Sequence, residues 1–313
     1  MSEKKVSIIM ATYNREDFIV ETLLAIQKQS YQFWECLIID DGGNDNTAKV
    51  IAPILAVDER FSFLKRPSSY GKGLPGSRNF GLDAASGDFI IFFDDDDIPH
   101  PQNLEICINE FRDATLDFCR YKRAVFQDDF HYKFDTTESF GKFEFTKNDL
   151  LKMIDHTIPF NSCQVMWSKK CFEGMRFNES LMYAEEWELY SRILCQNVKG
   201  VSIKKTLFYG RKHLQSNTGE FYSDSPIRKK SKMEACKMIV TNLNNQQLLS
   251  PQIQKYFTWK AVTLKAPSIL KHIISQSSLS FFQKLKAIVL YRFSPLIKIY
   301  LKNKKKLKRN SLN

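Results

Sequence analysis

An α/β fold built on a mostly parallel central sheet flanked by helices is predicted by three features of this chain. Short apolar runs alternate with segments of helical periodicity, the second run ends on Asp40 and Asp41, and Phe89-Ile90-Ile91-Phe92-Phe93 leads straight into Asp94, Asp95, Asp96 and Asp97. An uninterrupted apolar run of that length reads as a strand buried on both faces, as in a parallel sheet covered by helices. Its C-terminal end is the edge where open α/β sheets bind ligands.

Taken in order, Lys5–Met10 is predicted as a first strand, and Glu16–Gln29, with Ile19, Leu23, Leu24 and Ile26 at helical spacing, as a helix. Cys36–Ile39 reads as a second strand, the glycine-rich turn from Gly42 to Thr47 as a reversal, and Ala48–Leu55 as a helix. This alternation predicts right-handed crossovers between parallel strands. An acid closing the second strand is where nucleotide-binding sheets take hold of a ribose or base. The first strand is not followed by Gly-x-Gly-x-x-Gly, which disfavours an ordinary dinucleotide fold. Phe61–Leu64 is the third strand. A glycine-rich basic loop, Tyr70–Asn79, then opens a helix to Ala85 with Pro75 in its first turn. Its glycines permit close backbone approach, and Lys72 and Arg78 suit a diphosphate or base; a flexible surface turn is the alternative.

After the acidic run come a helix to about Arg112, a strand over Asp117–Phe126, and a polar stretch to Gly141 with no clear assignment. Thr146-Lys147-Asn148-Asp149 carries a helix-start pattern for Leu150–Ile154, Asn161–Trp167 reads as a strand, and Lys169–Ser180 is turn-rich. Ala184–Leu194 is a helix with adjacent acids, Glu185 and Glu186, in its first turn. Such acids commonly just complement the helix dipole, but one held over a reaction centre would take a proton from an attacking hydroxyl. Gly200–Tyr209 is a strand, followed by a polar basic loop with His213, an ordinary surface residue or, near a metal, an imidazole ligand. Beyond Ser225 the pattern is helical to about Ser275.

Adjacent ionised carboxylates repel, so Asp94–Asp97 is tolerated beside an apolar strand only as a solvated loop or facing a cation. The spacing Asp-x-Asp suits a hard divalent ion, Mn2+ or Mg2+, with substrate phosphates and water completing the shell.

Composition sets the outer bounds. At 313 residues the chain can hold one large domain, or one domain with a smaller appendage. No uncharged apolar stretch reaches the ~20 residues of a membrane span, and Arg15, Glu16 and Asp17 stand where a signal cleavage region would fall. Seven scattered cysteines without Cys-x-x-Cys fit reduced thiols in a cytosolic protein, with neither a disulfide framework nor a zinc site. The net charge of +11 is a tail property: Phe281–Asn313 contains ten Lys and Arg and no acid, and subtracting these ten leaves +1 for the rest. A basic segment with interleaved aromatics fits an anionic membrane surface, where each Lys or Arg contributes about 1 kcal/mol. Nucleic-acid binding and a merely solvated tail are the alternatives; nucleic acid is not the expected partner.

Together these residues are similar to family 2 glycosyltransferases of the GT-A fold, bacterial enzymes that build surface polysaccharides such as capsule, lipopolysaccharide or exopolysaccharide. The resemblance runs over roughly Lys5–Thr218 and rests on ordered elements: Val6–Arg15, Ile38–Thr47, Gly76–Asn79 with Ala85–Ile90, Phe93–Asp97, Arg176–Leu181 and Glu185–Leu189. It implies a GT-A domain over 1–222, with a Rossmann-like nucleotide-sugar half at 1–100 and an acceptor half at 101–222, and a helical C-terminal extension over 223–313. It implies inverting transfer from a nucleoside-diphosphate sugar, usually a UDP-sugar, to a hydroxyl of a glycan or lipid-linked acceptor. By position Thr12, Tyr13, Arg15, Asp40, Asp41, Lys72, Arg78, Asp94 and Asp95 would bind the donor. Asp96 would be the direct metal ligand together with Asp94, and His213 is the further candidate ligand. Glu186 stands where the family usually has its catalytic Asp, with Glu185 as the substitute. The protein would act in the cytoplasm, peripheral on the inner membrane. The rival readings are a metal-dependent nucleotidyltransferase, which would leave Glu185 and Glu186 without a duty, and a non-catalytic nucleotide- or membrane-binding module.

Overall fold

The computed structural model describes residues 4–127, 129–131, 133–212, 221, 223, 225–276 and 280–293. By internal contacts the chain divides into two units, Met1–Ser231 and Lys232–Asn313.

The first unit is organised by one nine-stranded sheet: β1 (Val6–Thr12), β2 (Trp34–Asp40), β3 (Phe61–Lys65), β4 (Phe89–Phe92), β5 (Ile98–Pro99), β6 (Phe118–Phe126), β7 (Lys142–Phe145), β8 (Val165–Ser168) and β9 (Gly200–Arg211). Their order is β3-β2-β1-β4-β8-β6-β9-β5, with β7 pairing off this path on β9. β3, β2, β1 and β4 are parallel. The sheet is mixed beyond β4: β8 runs antiparallel to both β4 and β6, and β6 and β9 are again parallel.

Helices α1 (Ile19–Gln27), α2 (Thr47–Val57) and α3 (Leu74–Ala84) make the crossovers of the parallel half, as the strand and helix alternation requires. All four residues of β4 are buried, which is why its sequence is apolar throughout rather than alternating. The parallel register sets Thr12 beside Asp40 and Asp40 beside Lys65, and the Phe93 amide donates to the Ile9 carbonyl. The polar residues that end these strands therefore share one edge. Helices α4 (Asn103–Glu110), α5 (Leu150–Ile154) and α6 (Glu185–Leu194) belong to the second half.

Three local expectations differ from the structure. The first helix begins at Ile19 rather than Glu16, because that stretch is held by the loop after β2: the Arg15 amide donates to Thr47 Oγ1, the Glu16 amide to Asp45, and the Glu16 carboxylate accepts from the Asn46 amide. Asn161–Trp167 is not one strand. Asn161 and Gln164 close a reciprocal side-chain cap around a 3-10 turn over Ser162–Gln164, and β8 starts only at Val165. β5 and β7 have no strong period of their own; pairing with β9 makes them strands. The expected start at Thr146 is present, with Asp149 returning the cap hydrogen bond.

The second unit is helical: α7 (Pro226–Asn245), within which the division falls, then α8 (Pro251–Thr263), α9 (Pro267–Ser275) and α10 (Phe281–Arg292). Ile239, Leu243, Phe257, Ala261, Ile269 and Ile273 are fully withdrawn from water. Among the described residues no helix is long and apolar enough to cross a membrane.

Candidate active site

The site is built at the C-terminal edge of the parallel strands. Asp40 ends β2, and its Oδ1 accepts from the Gly42 and Gly43 amides at 3.0 and 2.9 Å, so this acid shapes the turn. Asp41 faces the loop before α3. Its carboxylate accepts from the Gly73 amide at 3.0 Å and from Ser77 Oγ at 3.3 Å, and pairs with Arg66 Nε at 2.5 Å. Gly73 reaches that contact with φ of 112°, a backbone open mainly to glycine. Gly76 is needed for a different reason: a Cβ there would overlap the Gly71 carbonyl oxygen. Tyr13 is exposed, with Lys72 Nζ 5.2 Å from its ring centre, and Thr12 is buried at the end of β1.

The acidic run divides into individual roles. Arg15 Nε lies 3.1 Å from Asp95 and its Nη2 3.8 Å from Asp96. Asp97 is buried between Arg123, at 3.2 Å, and the Arg211 amide, at 2.7 Å. Asp94 is the more exposed member and pairs with Arg78 at 3.1 Å. Burial and the neighbouring Asp96 push the Asp95 carboxyl up to about 7, against the pull of Arg15. Burial also raises Asp97 well above the ordinary range despite Arg123. Burial, with repulsion from the neighbouring acids, thus opposes ionisation of Asp95 and Asp97, and a divalent cation at the run would favour the charged carboxylates.

Asp94, Asp97 and Cys163 bring donor atoms within 4.8 Å of one another. Burial keeps the Cys163 thiol protonated, so this trio offers a hard ion its carboxylate oxygens rather than its sulfur. The run's oxygens fit Mg2+ or Mn2+. His213 lies outside the described residues.

Arg78 connects the acidic run to α6. It projects from α3 into a buried position between the rings of Phe92 and Phe177, each 5.6 Å from its guanidinium carbon. Nη1 meets Glu185 at 3.1 Å, and Nη2 meets Asp94 at 3.1 Å and Ser162 Oγ at 2.9 Å. Glu185 is buried, and burial with the adjacent Glu186 pushes its carboxyl up to about 7 against the pull of Arg78. Glu186 is only partly buried. Ala184, just before them, has φ of 67° and sets the angle at which the chain enters α6. The preceding segment is clamped to α3: Asn79 exchanges hydrogen bonds with the Phe177 backbone, and Glu179 accepts from Asn79 at 2.8 Å and from the Gly71 amide at 2.6 Å.

The sequence pattern that defines glycosyl transferase family 2 matches residues 7–172, just over half of the chain. The chain belongs to glycosyltransferase family 2. Among curated relatives, an Escherichia coli UDP-Glc:alpha-D-GlcNAc-diphosphoundecaprenol beta-1,3-glucosyltransferase, WfgD, is 38% identical over 118 residues, covering 38% of this chain and 45% of that one. A Campylobacter jejuni GalNAc(5)-diNAcBac-PP-undecaprenol beta-1,3-glucosyltransferase is 36% identical over 93 residues, 30% of each chain. The matched region thus spans less than half the length of either relative. Among solved structures, S. aureus TarS 1-349 in complex with UDP-GlcNAc superposes with a TM-score of 0.65 at 18% identity, covering 92% of this chain and 89% of that one. A Pyrobaculum calidifontis mannosyltransferase in complex with GDP-Man and Mn2+ gives 0.54 at 13% identity, covering 96% and 82%. The chain therefore has the GT-A fold, with a helical C-terminal region.

The structure pairs Arg15 with Asp95 and Asp96, pairs Arg78 with Asp94 and Glu185 in a second set, and places Asp41 in a third cluster with Arg66. Arg78 is sealed against carboxylates rather than lying in an open phosphate loop. Sequence reasoning missed Arg66, Arg123 and Ser162 as members of the candidate site. Arg66 carried a usable signal, since it directly follows β3 at the same edge as Asp41. Ser162 carried none.

Proposed function

We propose that this transferase moves a glycosyl group with inversion from a nucleoside-diphosphate sugar, a UDP-sugar, to a hydroxyl of a glycan or lipid-linked glycan in surface-polysaccharide synthesis. The supporting observation is the bridge Asp94–Arg78–Glu185, which ties the acidic strand end to the first turn of α6 through one buried guanidinium. Residues 1–100 would hold the donor, 101–222 the acceptor, and 223–313 would form the extension.

In this reading Tyr13 and Asp41 receive the base, with Arg66 and the Gly73 amide fixing the Asp41 carboxylate. Asp94 and Asp96 would hold Mn2+ or Mg2+, whose chemistry there is to offset charge on the departing diphosphate. The partly buried Glu186 accepts the acceptor hydroxyl proton as that oxygen bonds to the anomeric carbon, and the bond from that carbon to the diphosphate breaks with its electron pair leaving on UDP. Arg78 keeps Glu185 oriented inward, so the neighbouring Glu186 is the acid left to face the acceptor. Relatives acting on diphosphoundecaprenol-linked sugars favour a lipid-linked acceptor and a peripheral position on the cytoplasmic face of a membrane.

UDP release is the test. It should require an acceptor and Mg2+ or Mn2+, and Asp96→Ala should lower it at least about 10²-fold while the protein stays folded. Cleavage between donor phosphates would instead reveal a nucleotidyltransferase, and nucleotide binding without turnover a non-catalytic module.

A further inference from the structure

We infer that one face of α10 docks this protein onto anionic lipid. Twelve large apolar or aromatic residues are exposed among the described residues, and five of them, Phe281, Phe282, Leu285, Val289 and Phe293, lie on this one short segment. At about 100° of turn per residue they share an arc of about 120° on the helix surface. Ala287, which is buried, falls diametrically opposite, on the side where α10 packs against α8 and α9. The helix therefore already has its tertiary partners and still presents a second apolar face to water. Phe281 and Phe282 are 74% and 79% exposed, their rings edge to face at 5.9 Å.

Among the described residues this apolar face is open to water, and a contiguous exposed apolar face marks an interaction site. Charge identifies the partner. On the same wheel Lys284 and Lys286 flank the stripe on either side, Arg292 sits near its C-terminal end, and Phe281–Asn313 contains no acid at all. A second copy of this chain would bring like charge against like. An anionic bilayer supplies both halves of the complement: headgroup phosphates for the flanking cations and acyl chains for the aromatic stripe, the arrangement of an amphipathic helix lying in the interface. Ser280 caps the helix by accepting from the Gln283 amide, with Gln283 returning the bond, so the face is formed before it meets lipid. The value of such docking rests on the lipid-linked acceptor proposed above, but the docking itself does not depend on turnover.

The experiment uses the full chain in vesicle sedimentation, with phosphatidylglycerol mixed into phosphatidylcholine and with phosphatidylcholine alone. The wild-type protein should sediment with the anionic vesicles and stay in solution with the neutral ones. The triple variant Phe281→Ser, Phe282→Ser, Val289→Ser should partition at least about tenfold less while keeping the wild-type melting temperature. Lys284→Gln with Lys286→Gln should weaken binding to anionic vesicles selectively. Phe282→Trp provides a reporter that needs no disruption of the helix, and its emission should shift to the blue on anionic vesicles. Unchanged sedimentation of the triple variant, equal binding to both vesicle types, or an unshifted Trp emission would each overturn the inference. UDP release with a water-soluble acceptor, measured on the same preparations, reports separately on the proposed chemistry.

Discussion

Arg78 and Glu185 form an ion pair at 3.1 Å with both side chains withdrawn from water, 3% and 6% exposed. Their burial determines what their loss does. Removing the cation with Arg78→Ala leaves Glu185 buried without its cationic partner and takes from Asp94 and Ser162 their shared donor. Breaking a buried pair by deleting one partner typically costs about 3–5 kcal/mol. Arg78→Ala should show that loss in urea unfolding. Arg78→Lys keeps the charge but not the planar fork that serves three oxygens at once, and should recover only part of the stability. Equal stability of all three proteins would show that the bridge is not formed in solution.

Glu185 also gives stability a pH dependence of definite sign. Its carboxyl is raised to about 7 in the folded chain, chiefly by burial and by Glu186, whereas an unfolded Glu titrates near ~4.3. The folded state therefore binds more protons than the unfolded state between these values, and the stability carried by this group is complete below the lower one and lost as pH rises through the upper one. Glu35 and Asp58, both lowered to about 2, act in the opposite sense and at more acid pH. Subtraction isolates Glu185: the stability of the wild type minus that of Glu185→Gln should fall between about pH 4.5 and pH 7. Parallel curves across that window would refute the assignment.

The parallel half of the fold was legible because each strand declares itself locally. Phe89–Phe92 is apolar throughout since both faces are covered, and the acids after it mark the edge where the sheet stops. The second half was less legible because its strands depend on partners. Lys142–Phe145 has one fully buried residue, Phe145, and becomes a strand by pairing with β9. At the site, the residue types were readable but their pairings were not. Nothing local to Arg78 says that its guanidinium meets Glu185, 107 positions away. The tertiary fold makes that meeting, so the pairing of Arg78, a basic residue read as suited to a diphosphate or base, with two acids emerges only from the structure.

Glu185 and Glu186 can be separated by kinetics. Glu185 pairs with Arg78, while Glu186 is partly open to water and, in the proposed reading, is the acid that meets the acceptor. Glu186→Gln should lower kcat by about 10²–10⁴, the usual contribution of a positioned base, with donor binding retained. Glu185→Gln should have the smaller effect on kcat. A reversal of that order would move the base to Glu185.

Arg66 provides the last test, on the donor side. Its Nε lies 2.5 Å from Asp41, and its Nη1 donates to the Tyr70 and Pro67 carbonyls, so it anchors that carboxylate to the loop that opens α3. Without it Asp41 would keep the Gly73 amide and Ser77 but would lose its only charged partner among these. A hydrogen bond to a charged group contributes about 1.5–3 kcal/mol, which corresponds to roughly tenfold or more in affinity if Asp41 must be held in place to receive a base. Arg66→Met should therefore weaken UDP binding, measured by calorimetry, by at least about tenfold. Because Arg66 touches neither the acidic run after β4 nor the acids of α6, kcat at saturating donor should change little. A fall in kcat with unaltered affinity would mean that Asp41 serves the reacting end of the site and not the nucleotide.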